Sequence, residues 1–346
     1  MPRTLRADDP GALPRPYLLF LGDVTVPGYA KTAFGLRDWA PAACIGEWRL
    51  SEETVSTGLP QLDAAAAVVA GARALVIGVA TPAGRIPDAW LPSLVAALAA
   101  GLDLVSGMHT RLGDIPMLRE TAARSGRRLH DVRVPPTGLP VATGRKRSGR
   151  RLLTVGTDCA LGKKYTALAL VAALQARGVD ARLRATGQTG ILIAGQGIPM
   201  DAVVADFAAG AAELLSPDAA DDHWDVIEGQ GSLFHPAYAG VTLSLLHGSQ
   251  PDAFVVCHAH GRTHMLGYPD FPMPTIEAVI EATLLLGRRT SPGIRCAGVG
   301  LNTSALDDAA AAEACATLAR RLGLPVADPM RRTLTDFERL VDACLA

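Results

Sequence analysis

Leu152-Leu-Thr-Val-Gly156-Thr-Asp-Cys-Ala-Leu-Gly162-Lys163-Lys164 decides how the second half of this chain folds. The apolar run Leu152–Val155 predicts a strand, and a glycine-bounded turn follows it. Lys163 to Arg177 then predicts a helix closed by Gly178, the residue type that best tolerates a left-handed helix end. A strand, a glycine loop and a helix in that order turn backbone N–H groups and the positive helix end toward an anion, and Lys163 adds a point charge. The phosphate-loop pattern G-x-x-x-x-G-K-[ST] is met imperfectly. The first glycine lies one residue further away, and Lys164 stands where a hydroxyl residue holds Mg²⁺ in nucleotide hydrolases. A second ammonium there repels a divalent ion, at roughly 4 kcal/mol per unit pair 4 Å apart in an intermediate dielectric, unless it turns away along the helix. Gly156, Thr157, Cys159, Ala160, Leu161, Gly162, Lys163 and Lys164 therefore read as a cradle for a phosphate bound without magnesium, and no metal is expected.

The same alternation continues on both sides of this loop. Downstream, Arg182–Thr186, Trp224–Glu228, Ala253–His258 and Cys296–Leu301 read as strands, with helices over Ala202–Leu215, Thr275–Leu286 and Asp307–Leu322. Upstream, Tyr17–Leu21, Ala74–Gly78 and Leu102–Ser106 read as strands, and Leu91–Ala100 as a helix. Strands alternating with helices of this length predict parallel sheets. The expectation is an α/β chain: an N-terminal Rossmann-like domain over 1–140 and a P-loop NTPase-like α/β domain over 152–346. Between them, 141–151 reads as a basic Pro/Gly-rich linker whose Arg145-Lys146-Arg147 and Arg150-Arg151 are solvated.

Bulk properties narrow the partners. A chain of 346 residues that is 49% hydrophobic supports two cores. A net charge of −1 gives no electrostatic reason to expect nucleic acid or an anionic membrane. The six cysteines are scattered without a C-x-x-C pair, so reduced thiols and a cytoplasmic location are expected. The polar, proline-rich N-terminus has no signal-like apolar core, and no apolar run reaches the roughly 18 residues of a spanning helix.

In parallel sheets ligands bind at the carboxyl ends of strands. Polar residues that do not pack a core gather there: Thr157-Asp158, Gln188-Thr189, Glu228-Gly-Gln230, His258-Ala-His260 and Asn302-Thr303. Glu228 could hold a metal, act as a general base, bind an amine or make a structural hydrogen bond, and Asp158 faces the same alternatives. The histidines lack H-E-x-x-H or tight Cys/His spacing, which argues against zinc. His235, just beyond the Glu228 loop, is the best placed of them for acid–base work. Asp206 suits a capping or solvated role as well as a contact, and Asn302 suits an adenine edge.

Thr157-Asp158, Gly162-Lys163, Glu228-Gly-Gln-Gly-Ser232 and Asn302 resemble loops of dethiobiotin synthetase over the second half only. Over nearly its full length the chain is similar to a two-domain family long labelled a domain of unknown function, whose known activity is D-glutamate N-acetyltransferase. The stretches carrying this are Gly156–Lys164, Gly187–Gly190, Asp201–Asp206, Glu228–Pro236, Leu246–Asp252 and, in the first half, Asp103–His109. The resemblance implies acetyl-CoA as co-substrate, its pyrophosphate on the loop and its adenine near Asn302, and a role in D-amino acid catabolism. Glu228 or His235 would deprotonate the amine, Asp158 would assist, and N–H groups of Gly229-Gln-Gly231 would hold the oxyanion. Gln188, Thr189, Gln230, His109, Arg111 and Lys31 are the candidates for holding the dicarboxylate, at a site between the domains. A homo-oligomer is expected. The competing readings are an ATP-dependent ligase or kinase and a non-catalytic CoA- or nucleotide-binding regulator.

Overall fold

The apolar runs of the first half become the strands of one parallel sheet. The computed structural model describes residues 12–81 and 84–346. They form two compact units, one of residues up to 135 joined by 188–199, the other of 136–187 and 200–346.

In the first unit the chain runs β1 (Tyr17–Gly22), α1 (Lys31–Trp39), β2 (Cys44–Arg49), α2 (Ala64–Val69), β3 (Ala74–Ile77), α3 (Leu91–Ala100), β4 (Asp103–Ser106), α4 (Pro116–Ser125) and β5 (Leu129–Asp131). The five strands pair in parallel in the order β2-β1-β3-β4-β5. β1 and β3 are buried on both faces, which is why they read as unbroken apolar runs. β2 was hidden from a hydropathy reading by Glu47. That carboxylate is fully buried, and it accepts hydrogen bonds from Ser56 Oγ and from the Thr57 N–H and hydroxyl. Asp63 caps α2 by accepting from Ala66 N at 2.8 Å, and Gly101 ends α3 at φ +107°.

The second unit follows the order β6 (Arg150–Gly156), α5 (Lys163–Ala176), β7 (Ala181–Arg184), α6 (Gln188–Ala194), α7 (Ala205–Leu215), β8 (Trp224–Ile227), α8 (Ala239–Ser249), β9 (Ala253–Ala259), β10 (His264–Met265), β11 (Tyr268–Pro272), α9 (Ile276–Gly287), β12 (Arg295–Asn302), α10 (Asp308–Leu322), β13 (Val326–Ala327) and α11 (Phe337–Leu345). Six strands make a parallel sheet in the order β13-β12-β9-β6-β8-β7, so β6 is interior. β10 and β11 pair antiparallel as a separate hairpin.

Two expectations are corrected. The basic stretch is not a solvated linker throughout: Arg147 and Arg151 are buried, and Arg150-Arg151 open β6. The Arg151 guanidinium donates to the carbonyls of Arg147, Ser148, Gly149 and Pro217 and to Ser216 Oγ, so it organises the turn that leads into the strand. Second, the second half of the chain is not a unit by itself: α6 groups with the first half. Residues 188–199 group with the first unit, where Leu13 N donates to Gly195 O and the Arg15 guanidinium reaches Leu192 O. Arg15, with its apolar stem and fork of donors, closes the carboxyl end of that short helix.

Candidate active site

β6 ends between β8 and β9, and the Gly156–Gly162 loop leaves it there. Ala160 and Gly162 take left-handed φ values of +52° and +106°, which bend the loop back before α5 starts at Lys163. Gly156 is spatially constrained, since a Cβ on it would lie 3.2 Å from Cys257 O and 3.3 Å from Lys163 Nζ. The Lys163 ammonium is buried and donates to Asp158 O at 2.7 Å. Burial pushes its pKa down from the ordinary lysine value. Lys164 lies over the ring of Tyr165, 4.5 Å from its centroid, and its charge also acts on Glu228.

Glu228 follows β8 and is 4% exposed. Its Oε2 accepts from the backbone N–H groups of Thr186 and Gly187, at 3.0 and 3.1 Å. Burial raises its pKa, against the opposing pull of those two bonds and of Lys164 and Lys163. Thr186 Oγ1 donates to Glu228 O at 2.6 Å, and Gln230 Nε2 donates to Thr186 Oγ1 at 3.0 Å. Glu228, Thr186 and Gln230 are thus knotted to Gly187. Gly229 passes so close to β6 that a Cβ would sit 1.6 Å from Thr154 O. Its N–H donates to Thr154 Oγ1 at 2.9 Å, which corrects the expectation that this amide is available to an oxyanion.

Asp158 is fully buried and saturated. Oδ1 accepts from Cys159 N at 2.6 Å, while Oδ2 accepts from Leu266 N at 2.8 Å and from Arg262 Nη1 at 3.0 Å. Arg262 Nη1 also donates to Cys159 O. The carboxylate therefore clasps the β10–β11 hairpin to the loop. His235, 1% exposed, stacks on Tyr238 at 4.6 Å between centroids and meets Tyr268 edge-on at 4.9 Å. Its Nδ1 accepts from Ala237 N at 3.1 Å, so a neutral ring carries its proton on Nε2. Nε2 has no hydrogen-bond partner and lies 3.7 Å from Asp158 Oδ1. His235 is therefore a donor in this arrangement rather than a base.

Asp158, Cys159 and His235 offer ligand atoms within 4.8 Å of one another, the spacing of a small-cation site. The Arg262 guanidinium on Asp158 opposes a metal there, as does the Cys159 thiol, whose pKa burial pushes up and so keeps protonated. Thr157, buried, shares a 2.9 Å hydrogen bond with His258 Nδ1 at the end of β9. Burial lowers the His258 pKa. Asn302 ends β12, and its side-chain oxygen accepts from Ser304 N at 3.0 Å.

The remaining expected residues belong to the first unit or to the surface of the second. His109 and Gln188 line a cavity in the first unit, and the Thr189 hydroxyl meets that of Thr32 at 3.2 Å. Arg111 is exposed at the start of a 3₁₀ turn and Lys31 is exposed at the start of α1; neither lines that cavity. Asp206 is exposed in the first turn of α7, a dipole-favoured position. The sequence reading passed over Arg262, Tyr238 and Tyr268. Arg262 carried a signal, a basic residue two positions past the polar strand end His258-Ala-His260. The tyrosines carried none, because only folding places them against His235.

Residues 140–340 match the family described as a domain of unknown function (DUF1611_C) P-loop domain, and residues 49–135 match its Rossmann-like N-terminal partner, DUF1611_N. A D-glutamate N-acetyltransferase from Tritonibacter scottomollicae is 50% identical over 331 residues, covering 96% of this chain and 98% of the relative. One from a Pseudoalteromonas species is 46% identical over 316 residues, covering 91% and 95%. The crystal structure of a DUF1611 family protein from Anabaena variabilis ATCC 29413 superposes with a TM-score of 0.83 at 36% identity, over 96% of this chain and 99% of that one.

Proposed function

The chain belongs to the DUF1611 family, and from that membership we propose that it transfers the acetyl group of acetyl-CoA to the amine of D-glutamate. The observation that carries this reading is the juxtaposition, in one unit, of a glycine-bounded loop holding a buried lysine with a buried carboxylate of raised pKa, in a chain half identical to a D-glutamate N-acetyltransferase over nearly all its length.

In this reading the loop amides and Lys163 hold the pyrophosphate of the coenzyme, a task that needs a fixed positive charge and no metal. Glu228 takes a proton from the substrate ammonium. The freed nitrogen attacks the thioester carbonyl and negative charge collects on its oxygen; the nitrogen then gives up its second proton as the C–S bond breaks, and that proton neutralises the departing thiolate, which leaves as the free thiol. His235 Nε2–H, desolvated and without a hydrogen-bond partner, is suited to donating a hydrogen bond to that oxygen. Six free cysteines suit a reducing, cytoplasmic setting, and no helix among the described residues is long and apolar enough to cross a membrane.

The test is thiol release from acetyl-CoA with D-glutamate, L-glutamate and neutral D-amino acids as acceptors, alongside ATP turnover. Acetylated D-glutamate is the expected product. Lys163→Ala is expected to raise the KM for acetyl-CoA by about tenfold or more, the loss of a charge-assisted contact, with the acceptor KM little changed. Nucleotide turnover without thiol release, or a Lys163→Ala effect confined to the acceptor, overturns the reading.

A further inference from the structure

Within the second unit, β9 lies between β6, which runs into the Gly156–Gly162 loop, and β12, which ends at Asn302. The residues that close β9 bond to both neighbours. His258 Nδ1 shares a 2.9 Å hydrogen bond with Thr157 Oγ1, and the Arg262 guanidinium donates to the loop carbonyls of Cys159 and Ala160. On the other side, His260 N donates to Asn302 O at 3.0 Å. Neighbouring strands are about 4.8 Å apart, so two spacings, roughly 10 Å, separate the loop from Asn302. A ribose fills that gap when a pyrophosphate sits on the loop and a base lies at Asn302.

The charges around this strand end share one sign. Burial lowers the His258 pKa, and the charges that act on its ring among the described residues, those of His260, Arg262 and Arg321, lower it further. Asp158, the carboxylate of the loop, is buried and already bonded to Arg262. Arg321 Nη2 meets Glu277 Oε1 at 3.4 Å, but both side chains are about half in solvent, where such a pair is weak. His260 is exposed as well. Exposed basic groups gathered at a strand end, in a chain of net charge −1, form a local anion site.

Resting on the transferase reading for the identity of the ligand, we propose that the carboxyl end of β9 binds the phosphate monoester on the coenzyme ribose, the 3′-phosphate that sets CoA apart from its dephospho form, and that Arg321 and His260 hold it. Arg262 stays committed to the loop and the hairpin, and contributes its field rather than a contact.

Two pairs of compounds differ only by that phosphate: acetyl-CoA and acetyl-3′-dephospho-CoA, compared by steady-state kinetics, and adenosine 3′,5′-bisphosphate and AMP, compared by calorimetric titration of the full-length protein. The wild type is expected to show a KM about tenfold or more lower for acetyl-CoA than for its dephospho form, and to prefer the bisphosphate over AMP by a similar factor. Arg321→Gln and His260→Gln, both at exposed positions, are each expected to shrink these ratios by about threefold or more, with the KM for D-glutamate within about twofold. An acetyltransferase that treats both members of each pair alike overturns the subsite, and variants that keep both ratios overturn its assignment to Arg321 and His260. A protein that transfers no acetyl group, yet prefers the bisphosphate through Arg321, keeps the anion subsite and removes the transferase reading.

Discussion

Glu228 is held by two opposed influences. Burial favours its neutral form, while the Thr186 and Gly187 amides and the two lysines favour the ion, and burial wins. The folded protein therefore holds this proton more tightly than the unfolded chain, whose carboxyl titrates near 4.5. Stability from this group is fully present below that value and is lost as pH rises through the raised folded value. Activity has the opposite sign, because a base works only once deprotonated. The pH profile of kcat/KM for the acceptor should thus show an acidic limb above the usual carboxylate range. Glu228→Gln should lower the rate by about 10²- to 10⁴-fold and remove that limb. A Gln variant that keeps the limb assigns it to another group. Gly229, next in sequence, owes its identity to sterics: any side chain there would drive into Thr154 O.

The β10–β11 hairpin lies outside the main sheet, and polar bonds to Asp158 tie it to the loop. Removing one partner of a buried charge leaves the other desolvated and unpaired, which costs about 3–5 kcal/mol when both are fully buried. Arg262 keeps 24% of its side chain in solvent, so Arg262→Ala should cost nearer 2 kcal/mol, read from the urea midpoint. Limited proteolysis should then cut within 260–273 sooner than in the wild type. Unchanged cleavage and an unchanged midpoint would mean that backbone pairing alone holds the hairpin. Strand β6 illustrates a related point. Five basic residues in seven positions suggest solvent, yet the Arg151 guanidinium satisfies four carbonyls and a hydroxyl. Burial of so polar a group is offset only by that full set of bonds, and hydropathy does not register it.

At the scale of the molecule, the two units are not two consecutive pieces of chain. α6 buries Gly190, Ile191, Leu192 and Ile193 while grouping with residues before 135, although it follows β7 in sequence. A fragment of residues 136–346 expressed alone should expose that apolar face and aggregate on size-exclusion chromatography, and co-expression of residues 1–135 should rescue it. A monodisperse 136–346 fragment would show that α6 finds cover within its own half. The sequence by itself determined the local order of elements: apolar runs long enough to be interior strands, the glycine-bounded loop with Lys163, and the helix end at Gly178, because each follows from a few neighbouring residues. It also placed Glu228 and Asp158 near that loop, since both leave strand ends. Only the tertiary structure decided that Asp158 is a clasp, that Gly229's amide is spoken for, and that His235 presents a donor. Each of those depends on contacts between residues far apart in the chain, where the energy lies in desolvation and mutual geometry and leaves no periodic trace in the sequence.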